Sequence, residues 1–411
     1  MLIQFNFKNF KSFRDDTSLD MTATSITEHP YNLINFEDEK YIKVAAIYGA
    51  NASGKSSVIE AFSFMKYWIQ SSFKEGSTRE SIPIKRFAFD DKSLNNPAEF
   101  EVFFKYKNRE YQYGFSLDNT KIYEEWLYLK AEGSSKYVTL FERENDEITC
   151  NKLFTGAENF ISMVESKTLF LSITSSAKIA YAKDVMEWFI LPVIDYGNVE
   201  FERAFESVRH LDIEDAQYQK NLVEFLKAID INIHGIIVEK FSEDEDNSRV
   251  KIYTKHLKSD GESFYKLPLS EESSGTRKMF ALYQILMTSL KFGFPLFVDE
   301  LDSKLHPLLL RYILTMFHDE NINKKGAQLI YATHDNYTLT KEIFRRDQIW
   351  FVEKDKSAVS HLYSLVEYKN EDDKKVRKDA SYNKDYLLGK YGSVPVLRGY
   401  DMWGEDHGKV K

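Results

Sequence analysis

A chain of 411 residues with 43% apolar and 15% aromatic side chains can bury a large core, and its length points to two or three domains or to one with an insertion. The formal net charge of −9 argues against broad, sequence-independent duplex binding, although 55 Lys and Arg leave room for a local basic patch. A single cysteine, Cys150, excludes a disulfide framework, and no apolar run approaches the ~20 residues of a membrane span, so a soluble, cytoplasmic protein is expected.

Residues 2–8, LIQFNFK, alternate with period two and predict a strand. YIKVAAIY (41–48) is almost wholly apolar and stops at Gly49, the pattern of a strand buried on both faces. Val58, Ala61, Phe62 and Met65 then recur at helical spacing over 54–70. The period returns to two in AEFEVFFKY (98–106), REYQYGFSL (109–117), KIYEEWLYLK (121–130) and KYVTLFER (136–143), an antiparallel meander with Asn, Asp, Gly and Ser turns. Residues 151–231 read as helical without a sustained heptad, which excludes a long coiled coil. Strands are expected at 231–241 and 248–257, split by the acidic run SEDEDN, which reads as a solvated loop. A helix over 274–291, a buried strand FPLFVDE, a helix HPLLLRYILTMF and a strand AQLIYATHD follow, then two more strands and a charged segment at 369–381. The expected organisation is an N-terminal half at 1–150, a helical insertion at 151–231, a C-terminal half at 232–368 and a charged tail at 369–411.

GANASGKS (49–56) satisfies G-x-x-x-x-G-K-[ST] at every fixed position, between an apolar strand and a helix. Glycines there let backbone N–H groups wrap phosphates, and the helix N-terminus favours negative charge. Gly49, Ala50, Asn51, Ala52, Ser53, Gly54, Lys55, Ser56 and Ser57 are therefore the candidate nucleotide-binding residues, with Lys55 on the outer phosphates and Ser56 on Mg²⁺. PLFVDE (295–300) ends a second apolar strand in paired carboxylates. Asp299 suits the Mg²⁺ shell, and Glu300 can orient and deprotonate an attacking water. EESSGTRK (271–278) opens a helix with a Ser-Ser-Gly-Thr turn, either an anion site or an ordinary capping segment. His334 ends the strand of YATHD and could hydrogen-bond a γ-phosphate.

The order of phosphate loop, long insertion, Ser-rich turn, Asp-Glu strand and strand-end His resembles that of the SMC/RecF/OLD-like ABC ATPases. FNFKNFKSFRD (5–15) is similar to their opening strand and turn, and DELDSKLHP (299–307) to the OLD-like branch. EYQYGFSL, DQIWFVEKD and YLLGKYGSVP resemble a subgroup of AAA-family ATP-binding proteins from RloA-like bacterial defence operons. The resemblance implies an α/β, ABC-type P-loop ATPase head with an antiparallel β-meander subdomain and a helical insertion. It implies ATP and Mg²⁺ as cofactors and a slow ATPase. It also implies a homodimer or higher homo-oligomer in which Ser273, Ser274, Gly275 and Thr276 of one chain cap the nucleotide of another.

Departures from the family pattern are visible. Ser274 and Thr276 stand where transporters usually carry Gly and Gln, and Asp302 lies closer to the Asp-Glu pair than a transporter D-loop aspartate. His306 is a further candidate; the family's glutamine loop has no placed residue, and Gln112 is either a candidate for it or a strand surface residue. Glu353 and Asp355 resemble the opening of a TOPRIM metal site, but the 56 residues that follow hold no second Asp-x-Asp strand, so any nuclease or toxin effector is expected on a separate chain. The functional expectation is the ATP-driven switch subunit of an antiphage defence or toxin–antitoxin-like system. The alternative is a RecF/SMC-like DNA repair ATPase acting directly on DNA, with KKVRK (374–378) as a possible phosphate contact or a solvated face; a transporter subunit fits the motifs less well.

Overall fold

The computed structural model describes residues 1–130, 133–134, 136–195, 213, 215–242, 248–370 and 373–394. Residues 243–247 of the acidic turn, residues 196–212 of the expected insertion and the tail beyond 394 lie outside the described residues.

Six consecutive buried residues make β5 (Val44–Gly49) the natural centre of a sheet. It is flanked by β16 (Leu329–Ala332) and β17 (Ile349–Lys354), both parallel to it. β15 (Leu296–Val298) pairs with β16, and β11 (Val193–Asp195) pairs with β15, again in parallel. β18 (Ser360–Ser364) closes the other edge antiparallel, giving the order β11-β15-β16-β5-β17-β18. All five parallel strands thus end at one edge of the sheet, where crevices for ligands form in open α/β sheets.

Alternate residues of β5 face two different cores. Ala45 and Ile47 join the cluster built from α1 (Lys55–Glu75) and a second, seven-stranded sheet. That sheet holds β1 (Leu2–Lys8), β2 (Thr17–Asp20), β6 (Ala98–Tyr106), β7 (Arg109–Leu117), β8 (Ile122–Lys130), β9 (Val138–Glu144) and β10 (Glu147–Cys150) in the order β10-β9-β8-β7-β6-β1-β2, and β6, β7 and β8 form the expected antiparallel meander. Val44, Ala46 and Tyr48 instead face the helices Ala216–Ala228, Ser274–Phe292 and Pro307–His318. A parallel sheet covered on both faces explains why its strands are continuous apolar runs rather than alternating ones.

Phe62 of α1 stacks on Phe297 of β15 with ring centroids 4.1 Å apart, and Phe104 of β6 stacks on Trp188 at 4.0 Å. The first pair joins α1 to the main sheet, and the second joins the meander to the helix Ala180–Ile190. One expectation needs correction. The stretch 151–231 is not wholly helical, because Val193–Asp195 adds a strand to the main sheet. Within the apolar stretch 181–196, Trp188 and Phe189 are fully buried in the chain's own first core, against Phe62 and Phe104. A short strand, Phe264–Pro268, also completes a three-stranded antiparallel sheet with Gly235–Ser242 and Ser248–Leu257. Among the described residues, no helix is long and apolar enough to cross a membrane.

Candidate nucleotide site

The loop after β5 has little room for side chains. A Cβ on Gly49 would come within 2.5 Å of the Val352 carbonyl oxygen, and one on Gly54 within 2.7 Å of Ser360 Oγ. Gly54 also caps α1 at φ +117°, a conformation that L side chains rarely adopt, and Ala52 sits at φ +60°. The bend turns the chain from strand to helix within five residues. It is braced from behind: Ser360 Oγ bonds the Ser53 carbonyl and, at 2.8 Å, Ser12 Oγ, while Ser360 N donates to the Ser12 carbonyl at 2.8 Å. Neither serine was singled out from the sequence, because each acts through backbone that only the fold brings near.

Lys55 folds back over this loop and donates to the carbonyls of Gly49 at 2.8 Å and Ala50 at 3.0 Å. Burial pushes its ammonium down to about 8, against the pull of Asp299, Asp302 and Glu300. Asp299 is held where β15 ends, its N–H donating to the Asp195 carbonyl of β11 at 2.8 Å. Burial raises its carboxyl above the usual range, the Ser56 hydroxyl opposes that shift, and the neighbouring Glu300 adds to it. Asp299 Oδ1 and Ser53 Oγ are both buried without a hydrogen-bond partner. Such orphaned polar atoms beside a lysine and a helix N-terminus suit a phosphate with its divalent cation. The residues fit the group.

Because β16 lies between β5 and β15, the segment that follows it opens between the phosphate loop and the Asp299–Glu300 pair. His334 stands there and is exposed. Partial desolvation within the crevice and then Lys55 hold its imidazole below the usual histidine value, while Asp302, Glu300 and Asp299 pull the other way. Its backbone N–H donates to both Asp302 carboxylate oxygens, at 3.2 and 3.4 Å. Asp302 therefore orients the histidine segment. Glu300 adopts φ +49°, unusual for a residue with a Cβ, and begins a tight turn in which Ser303 N donates to the Glu300 carbonyl at 2.9 Å. Lys278 was missed in the sequence. Its Nζ donates to the carbonyls of Glu300, Leu301 and Ser303 at 3.2, 3.2 and 2.6 Å.

The Ser-rich turn opens the helix Ser274–Phe292, and Ser273 is its N-cap, accepting from Thr276 N at 3.0 Å. Ser273 Oγ also shares a 2.8 Å hydrogen bond with Thr276 Oγ1. Thr276 is buried, but Ser273 and Ser274 are exposed, and a Cβ on Gly275 would meet nothing nearer than the Lys304 carbonyl at 3.5 Å. The capping role is real, and it leaves an open face of backbone donors.

Three other candidates do not join the site. Gln112 lies on β7 in the meander, with its amide bonded to Glu101 at 2.6 Å, so it is not the residue that reaches the nucleotide. His306 caps the helix Pro307–His318, its Nδ1 accepting from Leu308 N at 3.2 Å. Asp355 holds the β17–β18 turn by accepting from Ser357 N and Val359 N.

Solved structures similar to this chain include "the recombination mediator protein RecF-ATPrS in RecFOR pathway", at 13% identity and TM-score 0.37, covering 88% of this chain and 98% of that one. Another is CbiO1 of Clostridium perfringens, part of the ABC transporter complex CbiONQ, at 12% identity and TM-score 0.30, covering 95% and 93%. No curated protein sequence matches the chain. Residues 44–340 span the phosphate loop, the Ser-rich turn, Asp299–Glu300 and His334, and over that length the chain belongs to the family described as "AAA domain, putative AbiEii toxin, Type IV TA system".

Proposed function

We propose that this chain is a Mg²⁺-dependent ATP hydrolase that works as a two-state switch in a bacterial defence or toxin–antitoxin-like system. The observation that carries the reading is the gathering of Lys55, Asp299, Glu300 and His334 at one sheet edge, beside the orphaned oxygens of Ser53 and Asp299. Backbone N–H groups of 49–57 cradle the phosphates, and Lys55 exchanges the Gly49 and Ala50 carbonyls for phosphate oxygens. Ser56 and Asp299 would hold Mg²⁺, which when bound neutralises phosphate charge. Glu300 accepts the proton of the attacking water, and His334 offers a hydrogen bond to the outer phosphate.

The exposed Ser273–Gly275 face supports a site completed by a second copy, with ATP joining two chains and its hydrolysis separating them. The family description names a type IV toxin–antitoxin system, which supports a place for this chain in such a system. A net charge of −9 weighs against direct clamping of duplex DNA.

Glu300→Gln tests the reading. It removes the proton acceptor and keeps the shape, so turnover should fall at least about 100-fold while nucleotide binding persists. Hydrolysis at the wild-type rate in that variant would refute the assignment.

A further inference from the structure

The turn that presents Glu300 is held by a residue from another element. An ammonium has three donors and no acceptor. The ammonium of Lys278 spends its hydrogen bonds on three carbonyls of one turn, those of Glu300, Leu301 and Ser303. Burial disfavours the charge at this position, and the carboxylates of Asp195, Asp302 and Glu300 together with the converging carbonyl dipoles oppose that cost. The turn itself contains two residues at positive φ, Glu300 at +49° and Lys304 at +61°. Backbone in that region persists only where its surroundings enforce it. Asp302, inside the same turn, binds the N–H of His334. One lysine thereby braces both the carboxylate and the histidine segment.

Lys278 projects from the helix that begins at Ser274, four residues, about one turn, after its first position. Side chains on a helix lean toward its N-terminus, which aims Lys278 back at the Ser273–Gly275 end. We infer that Lys278 is a positioning residue that locks the Glu300–Ser303 turn to the helix Ser274–Phe292, so that the carboxylate of one chain follows the Ser-rich turn which that chain lends to its partner. This rests on the ATPase reading above and adds to it a route within one chain between two different nucleotides. The nucleotide capped by a chain's Ser273–Gly275 and the nucleotide facing its own Glu300 share one rigid body, helix plus turn.

The test uses the full chain with Lys278→Met, which keeps an unbranched side chain, one atom shorter, and removes every side-chain donor. Two readouts separate this inference from the reading beneath it. The first needs no hydrolysis: amide hydrogen exchange of the nucleotide-free protein should quicken in peptides covering 300–305 and 333–335 and stay unchanged at 49–57. Unchanged exchange at 300–305 overturns the lock whether or not the protein is an ATPase. The second is kinetic. The turnover number should fall about 10- to 100-fold, the scale expected when a catalytic group is displaced by about 1 Å, with nucleotide affinity within twofold of wild type. Lys278→Arg keeps charge but spreads its donors in a plane, and should recover part of the loss. Wild-type turnover in Lys278→Met, a matching loss of nucleotide affinity, or an arginine variant no better than the methionine one would each overturn the positioning role. Should Lys278→Met not fold, Lys278→Gln, which retains one donor group, is read by the same two measurements.

Discussion

Gly275→Asp separates a fold role from a role in a shared site. Gly275 is the second residue of its helix, and an added Cβ meets only the Lys304 carbonyl at 3.5 Å and Ser273 Oγ at 3.9 Å, ordinary contact distances. Replacing glycine inside a helix gains a few tenths of a kcal/mol, because Asp is a slightly better helix former. A carboxylate in the first helical turn adds about 0.3–1 kcal/mol through the helix dipole. The isolated chain should therefore be unchanged or up to about 1 kcal/mol more stable in urea unfolding. Its own phosphate loop is untouched, so nucleotide affinity should stay within twofold. The new charge faces the position that a partner's polyphosphate takes in the proposed assembly, and hydrolysis should drop at least about 100-fold, the scale of losing an oxyanion donor. ATP-dependent dimerisation, followed by light scattering, should disappear. A stable Gly275→Asp protein that hydrolyses ATP normally would refute the shared site, and a loss above about 2 kcal/mol would refute the account of open space around Gly275.

Lys55→Ala and Ser273→Arg should each be inactive alone, and a mixture should recover part of the activity, since each supplies the half that the other lacks; confirmed mixed oligomers without activity would count against this. Phe62→Ala removes the ring stacked on Phe297 and should cost about 3–5 kcal/mol in denaturant unfolding, whereas a cost below about 1 kcal/mol would show that the stack does not join α1 to β15. His318 is buried beside Lys43 and Gln348, and burial, then the charge of Lys43 and of His29, push its imidazole down to about 3. The unfolded chain takes up that proton near pH 6.5 and the folded chain does not. Stability should therefore fall by up to about 5 kcal/mol between pH 6.5 and 3, and His318→Asn should flatten this dependence relative to wild type.

The parts of the site that were legible in the sequence are those whose chemistry is local. Gly54 meets a local backbone requirement, its φ of +117°, and the apolar strand before Asp299 marks where a buried strand ends. The meander was readable because β6 and β8 largely alternate against one core. β11 escaped because three residues carry too little periodicity, and its role depends on pairing with a strand about 100 residues later. Ser12, Ser360 and Lys278 escaped for a shared reason: they bond backbone atoms, which no residue type advertises. Gln112 failed in the opposite way. An amide on a strand of aromatic residues looked available, but its neighbour Glu101 satisfies it.

The position of β5 also has a consequence during synthesis. Its partners on both sides, β16 and β17, are encoded about 300 residues downstream. At a ribosomal pace of about 5–20 residues per second, the strand leading into the phosphate loop waits about 15–60 s with both hydrogen-bonding edges unpaired. Meanwhile α1 and the meander can already assemble, because β1, β6, β7 and β8 pair among themselves within the first third of the chain. A nascent or truncated chain thus carries the Lys55 loop on a half-built scaffold with a sticky apolar strand, and no carboxylate opposite it. Nucleotide chemistry and protection of that strand arrive in the same final stage of synthesis, so incomplete chains are exposed to chaperones and proteases before they can act as a switch.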